Sequence, residues 1–533
     1  MLFRYLGFIA RSVSVAFLLV APWTSIFAQD GALDVSFGRA GKLSVDITGQ
    51  LLDDAATSIV SLSEGRIMVA GTTSSGFPSE HDIAVTVLLQ DGTIDQAFGQ
   101  NGRLLIDQGA NEYCQASAVQ PDGHIILAGY RTPLEGGPPE SVILRVHADG
   151  TIDRAFGSQG AAQESLPFAV VQLVLLPGGK ILAAGTRPSA AGGDFAIACL
   201  DRTGVLSPGF GNGGVVIEDF GGDDYLTHLS LTPDGRLLAV GFDTAGLLDV
   251  ARFCLDGSLD PTFGGIGKKT IKLGCFYDVA AATQLDGKIL VGTTVEGLEM
   301  PDFLIARLMP DGTLDSSFGQ EGIVEADLTG TDDYLTHLAL QPDGKILAIG
   351  WAGFYPDFLV QRYNTDGSVD PSFGTNGWIH TDFVGDSDRA RAVLVQPDGR
   401  FLLVGDVPGS NSDESRDFGL ARYQFSSQPR SILEVMLAGI KQTPWPAASL
   451  AAELSDLWAA TSQSRPQQAL SDVMTEPAIE QLDLLARDEQ VPTEWIRRML
   501  ESMTALANAV KQSSATPASS SLRRPRVESN RAQ

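Results

Sequence analysis

One nine-residue phrase recurs seven times between Gly31 and Tyr423, most plainly as Asp311-Gly-Thr-Leu-Asp-Ser-Ser-Phe-Gly319 followed by Gly322. Its phenylalanines stand at 37, 98, 156, 210, 263, 318 and 373, so successive copies lie 53 to 61 residues apart. A module of that length is one supersecondary unit. It cannot bury a hydrophobic face alone, so the copies must stack on one another.

Within a copy, four pieces read as strands. In the sixth they are 322–327, 335–340, 345–349 and 358–363. The third of these, Lys345-Ile-Leu-Ala-Ile349, is a continuous apolar run suited to a strand buried on both faces. The Asp-Gly pairs at 343–344 and 366–367 supply positive φ for tight hairpins, which predicts antiparallel neighbours. Four short strands in each of seven units predict an all-β fold, a seven-bladed β-propeller of four-stranded antiparallel blades over residues 29–427. The chain enters mid-phrase at Gly31-Ala-Leu-Asp34 and leaves at Asp417–Tyr423, where the next phrase would begin. The N-terminal fragment is therefore expected to complete the last blade and remove a sheet edge. An open solenoid is the competing architecture, and it would need polar capping repeats.

Residues 1–28 read as a signal peptide: Arg4 and Arg11, an apolar run from Val13 to Val20, and a small residue at Ala28. Pro22 and the shortness of the run argue against a membrane span. Cleavage after Ala28 removes two arginines and no acid, taking the formal charge from −28 to −30. So acidic a mature chain excludes nucleic acid as a partner and favours cations and basic surfaces. It is expected to be monomeric, without a transmembrane segment, and secreted, periplasmic or at the cell surface. Cys114, Cys199, Cys254 and Cys275 lack metal or redox spacing and read as buried thiols, with a Cys254–Cys275 bridge left open. Beyond about Arg430 the turn signals stop. Leu450, Leu454, Leu457 and Trp458, and again Trp495, Met499, Met503 and Leu506, repeat at helical spacing, predicting a helical region over 428–511. The Ser/Ala/Pro-rich segment 512–533 reads as a disordered tail.

The phrases Gln341-Pro-Asp-Gly-Lys-Ile-Leu-Ala-Ile-Gly350 and Asp302-Phe-Leu-Ile-Ala-Arg-Leu308, with 311–322, closely resemble the bacterial delta-60 repeat. The resemblance covers roughly residues 31–425. It implies a β-propeller and export, and it brings no activity or catalytic residues. The third copy departs most, with Leu206-Ser207 for Leu-Asp and Pro177-Gly-Gly179 for Pro-Asp-Gly.

Comparison of the copies exposes three registers. An arginine late in the last strand of the unit precedes an aspartate by eight residues: Arg145 and Asp153, Arg252 and Asp260, Arg307 and Asp315, Arg362 and Asp370. Arg422 would meet Asp34 if the ring closes. In the third copy Cys199 and Ser207 replace both charges together, while the first copy has Val87 ahead of Asp95. This predicts one structural ion pair per blade junction, because losing one partner strands a buried charge at about 3–5 kcal/mol whereas losing both is tolerable. The second register holds Asp54, Glu112, Asp224, Asp333 and Asp388, with Phe168 and Phe276 in the other copies. These acids are expected to share one rim, where they cap turns or hold a cation such as calcium. The third register is the acid opening the last strand: Asp82, Glu140, Asp194, Asp302, Asp357 and Asp417.

No nucleophile elbow, phosphate loop or zinc-type histidine spacing occurs, so no catalytic residue or cofactor is predicted. His228 and His337 sit in matching Asp-Asp-Tyr-Leu-Thr-His-Leu segments, which points to duplication. The leading expectation is an exported, non-enzymatic scaffold that binds a protein, glycan or cation through rim loops such as 74–81, 132–139 and 407–416. Two readings stay open beside it: a metal-assisted hydrolase or lactonase working at the channel, and a structural protein attached to an envelope component by its helical region.

Overall fold

The computed structural model describes residues 30–49, 52–76, 80–162, 166–189, 192–296, 300–328, 330–353, 356–383, 387–409 and 412–425, together with Ile432, Val435, Met436, Met499 and Ser502. The signal-peptide and tail assignments lie outside the described residues. So does the helical region, apart from those last five positions, each of which has helical backbone.

Seven antiparallel sheets follow one another along the chain. In the sixth, Asp333–Leu340 is innermost, followed outward by Ile346–Ala352, Asp357–Tyr363 and Trp378–Thr381. The phase differs from the sequence reading. The short strand after each Phe-Gly turn pairs with the strand before the phrase, as Ile323–Ala326 does with Pro301–Leu308, and does not open the following blade. The phrase is a tight reversal that folds the chain back on itself: Asp315 N–H donates to the Arg307 carbonyl at 2.8 Å and Arg307 N–H to Gly322 at 2.9 Å. The second blade also departs from four full strands. Asn111–Val119, Ile125–Thr132 and Glu140–Val146 pair as usual, but the fourth position is an isolated bridge between Leu144 and Ala161.

The ring closes through the N-terminus. Lys42–Val45 is the outermost strand of the seventh blade, paired with Ser412–Tyr423, and Leu33 bridges Tyr423. Around the ring, the glycine of each Phe-Gly pair donates its N–H to the turn at the end of the next blade's third strand. Examples are Gly99 to Asp149 at 2.7 Å and Gly319 to Asp366 at 2.9 Å. The last such bond, Gly374 to Asp30 at 3.2 Å, needs the N-terminal residues. The turn glycine lies on the phenylalanine ring of the preceding phrase. A Cβ at Gly312 (φ +84) would stand 2.8 Å from Phe263 Cζ, so both the conformation and the contact demand glycine.

The core lies between blades. One cluster joins Ile59, Val69 and Ala84 of the first blade to Val404, Phe418 and Leu420 of the seventh, and each such seam buries the apolar faces that a lone blade would expose. The innermost strands carry bulges whose extra residue spans the channel wall: Thr227 Oγ1 donates to the Val279 carbonyl at 2.6 Å, and Thr57 Oγ1 to that of Cys114 at 2.6 Å. All four cysteines are free, and Cys114, Cys199 and Cys275 are buried. Among the described residues no helix is long and apolar enough to cross a membrane.

Candidate functional site at the blade joints and channel mouth

Each arginine of the first register lies beside its aspartate. The distances are 2.7 Å for Arg145–Asp153, 3.0 Å for Arg252–Asp260, 2.8 Å for Arg307–Asp315, 2.7 Å for Arg362–Asp370 and 2.8 Å for Arg422–Asp34. The guanidinium also reaches the next blade: Arg145 Nη1 donates to the Arg202 carbonyl, Arg252 Nη1 to Pro310 and Arg307 Nη1 to Thr365. It stacks over the phrase phenylalanine as well, at 4.6 Å for Arg307 on Phe318 and 4.4 Å for Arg362 on Phe373. Burial acts to raise Asp315, but hydrogen bonds from Ser317 and Lys288 and the Arg307 charge outweigh it and hold the carboxyl well below the usual range.

A second cation register went unread in the sequence. In five copies the residue after the Pro-Asp-Gly turn, or its equivalent, reaches the same carboxylate: Arg66 to Asp95, Arg236 to Asp260, Lys288 to Asp315, Lys345 to Asp370 and Arg400 to Asp34. Arg66 thereby supplies the first blade with the partner that Val87 cannot. His124 holds this place in the second blade, and the fold brings it, with His147, to Asp153. The recurring Lys or Arg was the available signal.

Each second-register acid turns into the joint with the preceding blade, and one oxygen holds the connecting loop. Asp54 Oδ2 accepts from Ile47 N–H at 2.8 Å, Glu112 Oε1 from Ala110 at 3.1 Å, Asp224 Oδ2 from Phe220 at 2.6 Å, Asp333 Oδ2 from Leu328 at 2.8 Å and Asp388 Oδ2 from Phe383 at 2.6 Å. The joint assembles acids from three strands. A third-register acid and the acid ending the outermost strand of the preceding blade complete triads with carboxylate oxygens within 4.8 Å of one another, such as Asp46–Asp54–Asp417 and Asp302–Asp327–Asp333. Burial, with the charges of Asp46 and Asp417 adding to it, pushes Asp54 up to about 7. Burial and the neighbouring Asp357 and Asp382 do the same to Asp388. At the joint of the third and fourth blades the protein supplies its own cation, Arg187, at 2.5 Å from Asp194.

Next to these acids, at the start of the innermost strands, a cross-strand position alternates around the channel mouth. In blades two, four and six it carries stacked aromatic pairs: Tyr113 on Tyr130 with centroids 4.9 Å apart, Tyr225 on Phe242 at 5.7 Å and Tyr334 on Trp351 at 4.1 Å. In blades one, three and five the second-strand residue is Thr72, Thr186 or Thr294. Its hydroxyl accepts the backbone N–H of Cys114, Leu226 or Leu335 in the next blade, at 3.0–3.3 Å. The seventh blade has Arg389 opposite Asp406 there, with the guanidinium 5.4 Å from the Trp351 ring. The aromatic pairs are half-exposed, and Tyr225 is 40% exposed.

At the other ends of the innermost strands lies a cavity of about 1170 Å³, lined by residues including His228, Ser230, Gln341, Gln396, Val435 and Ser502. His228 lines this cavity, and His337 occupies the equivalent position on the innermost strand of the sixth blade. They are partly exposed yet enclosed by the ring of strands, and this desolvation lowers both to about 4, with each other's proximity adding to His228. His228 Nε2 and His337 Nδ1 have no hydrogen-bond partner in the protein.

Four stretches, 120–156, 232–263, 284–318 and 341–373, match the model of a family described as a domain of unknown function (DUF5122) beta-propeller, so the chain is a β-propeller repeat protein. No curated protein matches it. Solved structures similar to it include the polysaccharide lyase Uly1 (11% identity, TM-score 0.41, 75% of this chain and 94% of that one). Others are virginiamycin B lyase from Staphylococcus aureus (11%, 0.39, 71% and 98%) and Drosophila Semaphorin 2a (8%, 0.41, 72% and 76%).

Proposed function

We propose that this chain is an exported, non-enzymatic propeller that binds a glycan across the channel mouth bearing the three aromatic pairs. The observation that carries the reading is the placement of Tyr113–Tyr130, Tyr225–Phe242 and Tyr334–Trp351 at one register of alternate blades, half-open to solvent. Stacked aromatic faces offer large rigid contact area with polar handles, which suits the apolar faces of sugar rings. The acids preceding two of these pairs, Asp223 and Asp332, are half-buried and can accept hydroxyl hydrogen bonds. Strands hold all six aromatic side chains. Export is supported by the composition of residues 1–28, and the mature protein is expected to begin at Gln29 outside the cytoplasm.

Binding of the full mature chain to a panel of glycans tests the reading. Tyr113→Ala, Tyr225→Ala and Tyr334→Ala should each weaken a retained glycan roughly tenfold, a loss of about 1.4 kcal/mol. Failure to retain any glycan would overturn it, as would retention indifferent to the three substitutions. Cleavage of a retained glycan, abolished by His228→Ala or His337→Ala, would favour hydrolysis at the channel instead. That second reading draws on one buried ring nitrogen of each histidine, His228 Nε2 and His337 Nδ1, which lacks a hydrogen-bond partner.

A further inference from the structure

At the closure of the ring, Asp46 follows the N-terminal strand, Asp417 stands on the third strand of the seventh blade and Asp54 opens the first blade, with a carboxylate oxygen of each within 4.8 Å of the others. The same geometry recurs one joint on, where Asp82 and Asp107 of the first blade meet Glu112 of the second. Three carboxylates so close repel one another unless a positive charge joins them.

A separate observation shows that these two groups are incomplete. Asp54 is 1% and Glu112 0% exposed, and one oxygen of each accepts a loop N–H. The other oxygens, Asp54 Oδ1 and Glu112 Oε2, are buried with no hydrogen-bond partner in the protein. The Thr73 hydroxyl is shared between the Ser74 carbonyl, at 3.2 Å, and the Asp54 carboxylate, and Arg103 reaches the backbone carbonyl of Asp46 at 3.2 Å. Across the second joint, Arg131 is engaged with Glu140 at 2.7 Å. An orphaned buried carboxylate oxygen forfeits its hydration with no return, so folds rarely leave one without a purpose. Two other joints carry a protein cation on one of their acids: Arg187 on Asp194, and His380 on Asp357 in the triad with Asp382 and Asp388, where Asp388 Oδ1 is likewise buried without a partner. Where no acid stands, Phe168 fills the position.

We infer that the joints on either side of the first blade, Asp46–Asp54–Asp417 and Asp82–Asp107–Glu112, each bind a divalent cation of the calcium type. Calcium takes 6–8 oxygens at about 2.3–2.6 Å in flexible geometry. Each triad supplies carboxylates from three strands, and water completes the shell from the side of half-buried Asp46 and exposed Asp107. Asp54 Oδ1 and Glu112 Oε2 become metal ligands, while their partner oxygens keep the loops in place. The first site ties the strand that closes the ring to both blades it touches.

The test uses the mature full chain, stripped with chelator and titrated with calcium chloride. Calorimetry should count two sites, and the melting temperature should rise by several degrees once calcium exceeds Kd by about a hundredfold. Asp54→Asn and Glu112→Gln, each nearly isosteric, should each lower the count from two to one, and the double variant should abolish it. Asp219→Asn, at the joint already served by Arg187, should leave both sites. Millimolar calcium producing neither heat nor a melting shift would overturn the proposal. So would an undiminished count in the double variant, or variants that melt higher than the parent while the parent ignores calcium. Chymotryptic nicking of the N-terminal strand, slowed by calcium in the parent and not in Asp54→Asn, gives a readout that does not depend on the calorimetric count.

Discussion

Arg307 shows how much one side chain holds. It is nearly buried, pairs with Asp315, donates to the carbonyl of Thr365 in the next blade and lies over Phe318. Substituting Met would leave Asp315 in a dry joint with Lys288 as its one remaining cation. Arg307→Met is expected to destabilise by about 3–5 kcal/mol, whereas Arg307→Met with Asp315→Leu should recover much of the loss. Chemical denaturation of the two variants against an exposed Arg154→Met control measures this. The third blade already embodies the double replacement in Cys199 and Ser207. That pairing was legible in the sequence because both charges vanish together. The second cations, Lys288 and its equivalents, escaped notice because a Lys or Arg after a turn is unremarkable until the fold shows what it reaches.

At the scale of the strand, the innermost elements of blades four and six each carry a histidine. The folded groups sit near 4, against 6.5 for the free side chain, so between those values the unfolded chain binds more protons. Stability is therefore whole above pH 6.5 and is lost as the pH falls through 4, by roughly 3 kcal/mol for each histidine. A double His228→Gln, His337→Gln variant should show a flatter profile of melting temperature over that window, and an unchanged slope would refute the assignment. Strand existence and pairing were readable from Asp-Gly turns and continuous apolar runs. Their phase was not. The phrase Asp311–Gly319 looks like the opening of a unit, yet its hydrogen bonds run back to Arg307, and only the paired partner reveals that. The grouping of acids was half visible. Each register could be counted along the chain, but the meeting of Asp46, Asp54 and Asp417 joins residues more than 360 positions apart.

For the whole molecule, closure is the decisive contact. A chain lacking the segment through Val45 would expose the edge of Ser412–Tyr423 and strip Arg422 of Asp34. It should melt at a lower temperature, less cooperatively, and form larger species on size-exclusion chromatography. A truncated chain that stays monomeric and melts as the parent does would show that the ring holds without its clasp. The closed ring itself was foreseeable from where the phrase is cut at each end of the chain. The alternation of aromatic and threonine blades was not, since it rests on which residues face each other across two strands. Seven is odd, so two kinds of blade cannot take strict turns around a circle. Two of the plainer kind must stand side by side, and they do so where the seventh blade, with Arg389 opposite Asp406, meets the first. The mouth thus carries a single notch in an otherwise regular dial, and on the proposed reading a guest that spans all three aromatic faces would have one rotational setting.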